Sequence, residues 1–257
     1  ATNLGLAAVG RSWAMEVLRA RPESQWAAAL VLETRPGLET RKEVQSLLKP
    51  SDCVLARVAR ASILEREGRD EQAAEIYLDI AGQDPDSPQM RLKAGMAYER
   101  AGKLVEALEI YRQLWSEHRD AIAANNAAYV TSQLYPDDPE QLRLAAEAVQ
   151  AAVEKFPQFA ALRDTLGWVR YLQGRKDEAR EELWRAVKGL PDSPEVHYHL
   201  GRAETDVGDR QIGAWHLAAA VARARAAEAE GKPLTAAETR AAESAGKALA
   251  AVEEPEP

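Results

Sequence analysis

The sequence predicts an all-α protein built from a helical hairpin that is repeated along the chain. Alanine makes up about a fifth of the 257 residues and aromatic residues 6%, a composition typical of closely packed helices. Apolar and small residues recur at i, i+3, i+4 and i+7, which is the period of an amphipathic helix. The third observation is a sequence period of 34 residues, and helical hairpins that stack into arrays repeat at roughly this length.

Small residues mark the period at equivalent places in successive hairpins. Glycines expected in the turns are separated by 34, 72 and 34 residues: Gly68, Gly102, Gly174 and Gly208. Small residues expected in the helix after each turn are separated by 34, 38, 34 and 34 residues: Ala73, Ala107, Ala145, Ala179 and Gly213. Because 72 equals 34 plus 38, one hairpin carries four additional residues.

The clearest hairpin lies between residues 160 and 191. Residues 160–173 predict a first helix, Gly174 and Arg175 a turn, and residues 176–188 a second helix. A glycine inside a helix costs about 1 kcal/mol relative to alanine, so we expect Gly167 to lie where the two helices cross, opposite Ala179. Cap residues followed by proline predict three helix starts: Ser87-Pro88, Asp138-Pro139 and Ser193-Pro194.

These residues resemble the tetratricopeptide repeat family. Two stretches are similar to its consensus: Thr165-Leu166-Gly167-Trp168 with Gly174, Glu178-Ala179, Leu183, Ala186 and Pro191, and Ala94-Gly95 with Tyr98, Gly102, Glu106-Ala107 and Tyr111. The resemblance implies a right-handed superhelical α-solenoid with five repeats across 51–222, at about 54–87, 88–120, 121–158, 159–192 and 193–226. The chain departs from the pattern at Arg57, Arg60 and Arg119, and by the insertion 135–139.

Both ends of the array carry additional segments. The residue pattern predicts helices over 3–20, 24–35 and 38–48. Residues 1–50 are therefore interpreted either as a degenerate N-terminal repeat of an array that opens in mid-repeat or as N-terminal capping helices. Residues 223–252 are interpreted as a C-terminal extension whose capping helix begins with the capping box Thr235-Ala236-Ala237-Glu238. The acidic residues 253–257 are expected to be disordered.

Neither catalytic nor cofactor-binding patterns occur in the sequence. There is no Gly-rich phosphate-binding loop, and Gly231-Lys232 is followed by Pro233. His197 and His199 lie two residues apart on a helix and point in different directions, unlike the pair of a zinc helix, whereas His216 can approach one of them across a hairpin. Cys53 has no histidine near it in the sequence. We therefore expect no enzymatic activity, no metal and no cofactor.

Charge and hydropathy limit the partners. With 33 basic and 41 acidic residues the net charge is −8, which argues against a nucleic-acid-binding protein. No window approaches eighteen uninterrupted apolar residues, so no membrane span is expected. The expected partner is another protein, a peptide segment or a multi-subunit complex.

The family resemblance implies a partner-binding concave face formed by the first helices of the repeats. Carried over position by position, this face comprises Arg66, Met96, Arg100, Asn125, Tyr129, Gln133, Asp164, Trp168, Tyr171, Tyr198 and Arg202. Tyr, Trp and Arg are the residue types that most often anchor protein interfaces. The alternative is that the aromatic residues pack between adjacent repeats. The clamp that binds acidic chaperone C-termini is not expected, because its Lys and Asn positions hold Ser62, Met96, Tyr129, Trp168 and Arg202.

A second resemblance concerns the later repeats. The ordered motifs Asn125-Asn126-Ala127-Ala128-Tyr129, Asp164-Thr165-Leu166-Gly167-Trp168 and Tyr198-His199-Leu200-Gly201 look like terminal repeats of bacterial envelope proteins linked to exopolysaccharide export and protein sorting. Together the resemblances imply a bacterial, non-catalytic interaction scaffold in the cytoplasm or the periplasm. Two alternatives stay open: an accessory subunit of a large complex that uses its outer surfaces, and an envelope scaffold that binds carbohydrate.

Overall fold

A computed structural model describes residues 2–22, 24, 27–28, 30–31, 37–48, 54–83, 88–207 and 209–253 of the chain. These ranges consist of helices and the turns between them, and no strand occurs in them, which confirms the predicted all-α fold class. The chain divides into two compact units, Ala1–Leu114 and Trp115–Pro257, and each is described by itself. None of the helices in the described ranges combines the length and hydropathy that a membrane span requires.

The described part of the first unit consists of six helices, the last of which continues past the division. They are α1 (Thr2–Ala20), α2 (Leu38–Leu48), α3 (Val54–Arg66), α4 (Asp70–Gln83), α5 (Pro88–Arg100) and α6 (Leu104–His118). Helix α4 packs against both α3 and α5, and the three share a core that contains Ala61, Ala73, Tyr77 and Ala94. Helices α1 and α2 confirm the predictions for residues 3–20 and 38–48.

Some predictions fall outside the described residues. They concern Cys53, Ser87, Gly208 and residues 254–257. Of the helix predicted over residues 24–35, the structure describes only residues 24, 27–28 and 30–31, among which Ala27, Ala28 and Val31 are buried.

The described part of the second unit contains seven complete helices. They are α7 (Ala121–Leu134), α8 (Pro139–Lys155), α9 (Ala160–Leu172), α10 (Lys176–Gly189), α11 (Pro194–Val207), α12 (Arg210–Ala229) and α13 (Ala236–Glu253). Consecutive helices form the hairpins α7–α8, α9–α10 and α11–α12, and α9 also contacts α7 and α11. Helix α12 extends to Ala229, beyond the expected end of its repeat at 226, and Glu253 belongs to α13 instead of the expected acidic tail.

Left-handed glycines form the turns inside the hairpins. The φ angles of Gly68, Gly102 and Gly174 are +71°, +76° and +75°. In each turn the N–H of the following residue donates to the carbonyl oxygen five residues back, at 2.9 Å. This is the hydrogen bond that ends a helix at a left-handed residue, a conformation that only glycine adopts without strain. The glycine spacing in the sequence therefore reflects the turn geometry.

A second set of glycines lies where the helices of one hairpin cross. A Cβ atom built on Gly95 would lie 2.6 Å from Tyr111, one on Gly167 would lie 2.6 Å from Leu183, and one on Gly201 would lie 2.8 Å from Leu217. These distances are well inside van der Waals contact, so no larger residue fits without displacement. The crossing point predicted at Gly167 is confirmed, since its Cβ would also lie 3.1 Å from the carbonyl oxygen of Ala179.

Side-chain caps begin the helices that flank the longer connections. The carboxylate of Asp138 accepts hydrogen bonds from the backbone N–H groups of Glu140 and Gln141, both at 3.0 Å, and so caps the start of α8 within the insertion that follows α7. At α13, Glu238 N–H donates to Thr235 Oγ1 at 3.1 Å and Thr235 N–H donates to Glu238 Oε2 at 2.8 Å. This reciprocal pair is the capping box predicted at Thr235.

Candidate partner-binding face

The predicted site residues of the second unit lie on the first helix of each hairpin. Asn125, Tyr129 and Gln133 are on α7; Asp164, Trp168 and Tyr171 are on α9; Tyr198 and Arg202 are on α11. We call these eight residues the inner set. Seven of them are partly or fully accessible, and Asp164 is buried.

Three aromatic residues of the inner set are in contact. The rings of Trp168 and Tyr171 stack with their centroids 5.0 Å apart, because positions i and i+3 lie on one face of α9. The ring of Tyr198 on α11 lies 5.8 Å from that of Trp168. All three side chains are half-buried, so they pack between neighbouring repeats and still present part of their surface. The structure thus shows the aromatic residues packed between repeats, and partner binding by them stays a prediction.

Arg202 extends the aromatic cluster with a positive charge. Its Nη2 donates to the hydroxyl of Tyr171 at 3.0 Å, and that hydroxyl donates in turn to Asp206 at 2.9 Å. Burial raises the pKa of Tyr171, and the hydrogen bond to Asp206 adds to the effect. Within the described residues no carboxylate forms an ion pair with Arg202, and its half-buried guanidinium contacts tyrosine hydroxyl groups and the ring of Tyr171.

Asp164 differs from its expected place on an exposed face. It is 6% exposed, and its carboxylate lies 3.0 Å from Nδ1 of His199, which is itself buried. The ring of His199 stacks on Trp168 at a centroid distance of 4.3 Å. Burial alone would lower the pKa of His199, but the charge and hydrogen bond of Asp164 outweigh it and the pKa is raised. An ion pair beneath the aromatic cluster therefore holds α9 to α11.

Glu195 was missed by the sequence analysis. It lies in the first turn of α11, next to the pair of Asp164 and His199. Burial is the largest of the causes that together raise the pKa of Glu195 to about 7; Asp164 and Glu238 also raise it, while His199 and Arg240 lower it. The carboxyl groups of Asp164, Glu195 and Glu238 come from three helices, and we call them the acidic floor of the site.

The α7 members of the inner set have polar partners. Oδ1 of Asn125 accepts a hydrogen bond from the hydroxyl of Thr165 at 2.8 Å. The hydroxyl of Tyr129 accepts one from Nη2 of Arg240 at 3.1 Å. Gln133 is exposed. Arg240 lies on the C-terminal helix α13, so this helix contributes a residue to the site that the repeat pattern does not predict.

The predicted site residues of the first unit are Arg66, Met96 and Arg100. Arg66 is exposed, and Met96 is 41% exposed. Arg100 forms ion pairs with Glu65 at 2.5 Å and with Asp70 at 2.7 Å, so its charge is largely neutralised inside this unit. All three residues are exposed, and Arg100 differs from the other two in having its charge paired.

His197 and His216 form a buried pair between α11 and α12. Their Nδ1 atoms are 2.8 Å apart, which confirms that His216 approaches one of the two α11 histidines. Nε2 of His197 lies 3.0 Å from the carbonyl oxygen of Pro191 and must donate to it. The described part of the chain contains no group of three or more His, Cys, Asp or Glu side chains arranged to hold a metal ion.

Comparisons with known proteins agree with the repeat fold described above. The family model of the tetratricopeptide repeat matches residues 44–88, 58–114 and 140–194. Among solved structures, MamA from Desulfovibrio magneticus RS-1 is 19% identical over 68% of this chain and 97% of that chain, with a TM-score of 0.56. The thermophilic TPR protein TTC0263 from Thermus thermophilus is 22% identical over 67% of this chain and 92% of that chain, with a TM-score of 0.55.

A third similar structure is YrrB, described as a TPR protein with an unusual peptide-binding site. It is 19% identical over 73% of this chain and 93% of its own, with a TM-score of 0.51. No curated protein matches the sequence. The family match, the glycine turns and the shared fold lead to one conclusion: this chain belongs to the tetratricopeptide repeat family, with its helical hairpins arranged as an α-solenoid.

Proposed function

We propose that the chain is a non-catalytic scaffold that binds a protein or peptide partner through the inner set of the second unit. The observation that carries the proposal is the contact of Trp168, Tyr171 and Tyr198 beside Arg202. Large half-exposed rings provide contact area at a low cost in side-chain entropy, and an arginine without a carboxylate partner is suited to an acidic group of the ligand. Met96 and Arg66 on the first unit are proposed as additional contacts.

Similar solved structures support a role in protein interaction. The fold they share presents the first helices of successive repeats on one side, and YrrB is described as having an unusual peptide-binding site. A partner peptide with apolar anchors and some acidic residues fits the rings and the guanidinium described above. The acidic floor lies beneath the rings, where Trp168 covers His199 and Asp164.

The test compares two kinds of variant with a partner recovered from the native source. We expect Trp168→Ala combined with Tyr198→Ala to weaken binding by tenfold or more in calorimetric titration, because anchors of this type commonly contribute about 2 kcal/mol or more. Arg202→Gln tests the charge without removing a ring. Circular dichroism verifies that each variant keeps its helicity.

Trp215→Ala is the matched control. Trp215 lies on α12 and is 60% exposed, so its loss removes a tryptophan of equal size from the outer side of the last hairpin. We expect this variant to bind normally. Loss of binding in Trp215→Ala with full binding in the double variant would instead support an accessory subunit that uses its outer surface.

A further inference from the structure

Helix α13 lies across the surface that we propose for partner binding. It packs against α11 and α12, and its contact face consists of Ala241, Ala245, Ala248, Leu249 and Val252. These positions follow the period of one helix face. Tyr198 of the inner set packs in the same cluster as Ala245 and Leu249.

The N-terminal half of α13 makes a second contact with the inner set. Arg240 donates to Tyr129, which lies on α7 and is 111 residues away in the sequence. The charges of Arg240 and Glu238 also act on Glu195 in the acidic floor. One helix of the chain itself thus engages Tyr198 through small apolar residues and Tyr129 through a cation.

The contacts that hold α13 are small. Its fully buried side chains are Ala241 and Ala245, which contribute one methyl group each. The preceding helix α12 buries Leu217 and His216 in addition to its alanines. Because apolar stabilisation scales with the area removed from water, α13 is bound less firmly than α12.

The connection to α13 allows it to separate without unfolding its neighbour. Helix α12 has its own C-terminal cap, in which Lys232 N–H donates to Ala227 O at 2.9 Å and Gly231 adopts a φ of +68°. Residues 230–233 are exposed. At the other end of this connection, α13 begins with the capping box of Thr235 and Glu238. Both helices therefore keep their terminal hydrogen bonds when they move apart.

We propose that the inner set recognises a helix with a small-residue face and a basic residue near its N-terminal end, and that α13 is the resident copy of such a helix. A partner helix of the same chemistry replaces α13 on Tyr129 and Tyr198. The inference rests on the proposed function, because it concerns which helix occupies the inner set and which kind of partner helix the inner set binds. The hydrogen bond from Arg240 to the hydroxyl of Tyr129 accounts for the preference for a cation.

The experiment uses the full chain and two variants of α13. Ala245→Glu places a charge in the buried contact, whereas Ala250→Glu places the same charge at an exposed position of the same helix. Hydrogen exchange is followed by mass spectrometry. We expect residues 236–253 to lose protection in Ala245→Glu while α7 to α12 keep theirs, and Ala250→Glu to behave as the parent.

The probe for the vacated surface is a labelled synthetic peptide of residues 234–253. In fluorescence anisotropy we expect it to bind the Ala245→Glu chain at least tenfold more tightly than the parent chain, and a peptide carrying Arg240→Ala to bind more weakly. Ala241→Glu is the second variant if Ala245→Glu leaves α13 in place.

Three results would overturn the inference. The first is that α11 and α12 lose their hydrogen-exchange protection together with α13. The second is that α13 stays protected in both Ala245→Glu and Ala241→Glu. The third is that the peptide does not bind a chain in which α13 has lost its protection. These measurements need no natural partner, so they can fail while the Trp168 and Tyr198 variants still abolish partner binding. Conversely, the peptide can bind while the natural partner ignores the inner set, in which case only the proposed function fails.

Discussion

Gly167 shows how one missing side chain determines a helix crossing. Because a Cβ at this position would lie 2.6 Å from Leu183 Cγ and 3.1 Å from Ala179 O, we expect Gly167→Ala to lower the free energy of unfolding by about 1–3 kcal/mol. Urea titration followed by circular dichroism measures the change. Gly246→Ala is the matched control, since its Cβ would meet only Val221 at 3.9 Å.

In the control the same change should be stabilising by up to about 1 kcal/mol, because alanine is favoured over glycine in an exposed helix. Equal stability changes at Gly167 and Gly246 would show that helix propensity, and not the crossing, governs both sites. The sequence predicted Gly167 from its spacing. The sequence could not predict the partner of Asp164, because the contact between Asp164 and His199 depends on how α9 and α11 lie side by side.

At the scale of the element, the hairpin α11–α12 contains a pH-sensitive contact between His197 and His216. With Nε2–H of His197 donating to Pro191 O, the neutral ring accepts at Nδ1 from Nδ1–H of His216. Nε2 of His216 is then a buried acceptor with no partner in the described structure. A proton added to the pair leaves either two facing donors or a buried unpaired N–H, so the neutral form is favoured.

Burial, together with the charges of His197 and Arg223, lowers the pKa of His216 from 6.5 to about 4. The unfolded chain therefore binds more protons between pH 6.5 and 4, and this contact loses stability as the pH falls through that window. We expect a loss of up to about 3 kcal/mol at pH 4, measured as the difference in urea stability between the parent and His216→Leu across the pH range.

Glu195 contributes with the opposite sign, because its pKa is raised to about 7 and its stabilising effect is lost as the pH rises from about 4.5 to 7. The difference between parent and His216→Leu removes this shared contribution. A stability difference that stays constant from pH 7 to pH 4 would contradict the neutral-pair assignment.

At the scale of the whole molecule, the sequence predicted the hairpins but not the division between Leu114 and Trp115. The period of 34 is visible because turn glycines and crossing glycines are needed in every hairpin. The repeated positions recur on both sides of the division and therefore do not mark it. The repeat pattern also could not place Arg240 on Tyr129, since α13 lies outside the repeats and its alanine-rich sequence predicts a helix without a docking site.

In a repeat array each hairpin contacts mainly its neighbours, so the two units should lose their structure separately. Leu183 is fully buried in α10 and Ile80 is 3% exposed in α4, and truncating either to alanine should cost about 2–5 kcal/mol. We expect Leu183→Ala to accelerate hydrogen exchange in α9 to α12 and leave α3 to α5 unchanged, and Ile80→Ala to do the reverse. Helices α1 and α2, which make few contacts with each other, should exchange fastest in the parent. If both variants accelerated exchange equally in α3 to α5 and in α9 to α12, the chain would unfold as one cooperative body, and the separate cores would have to be coupled by interactions stronger than those within each hairpin.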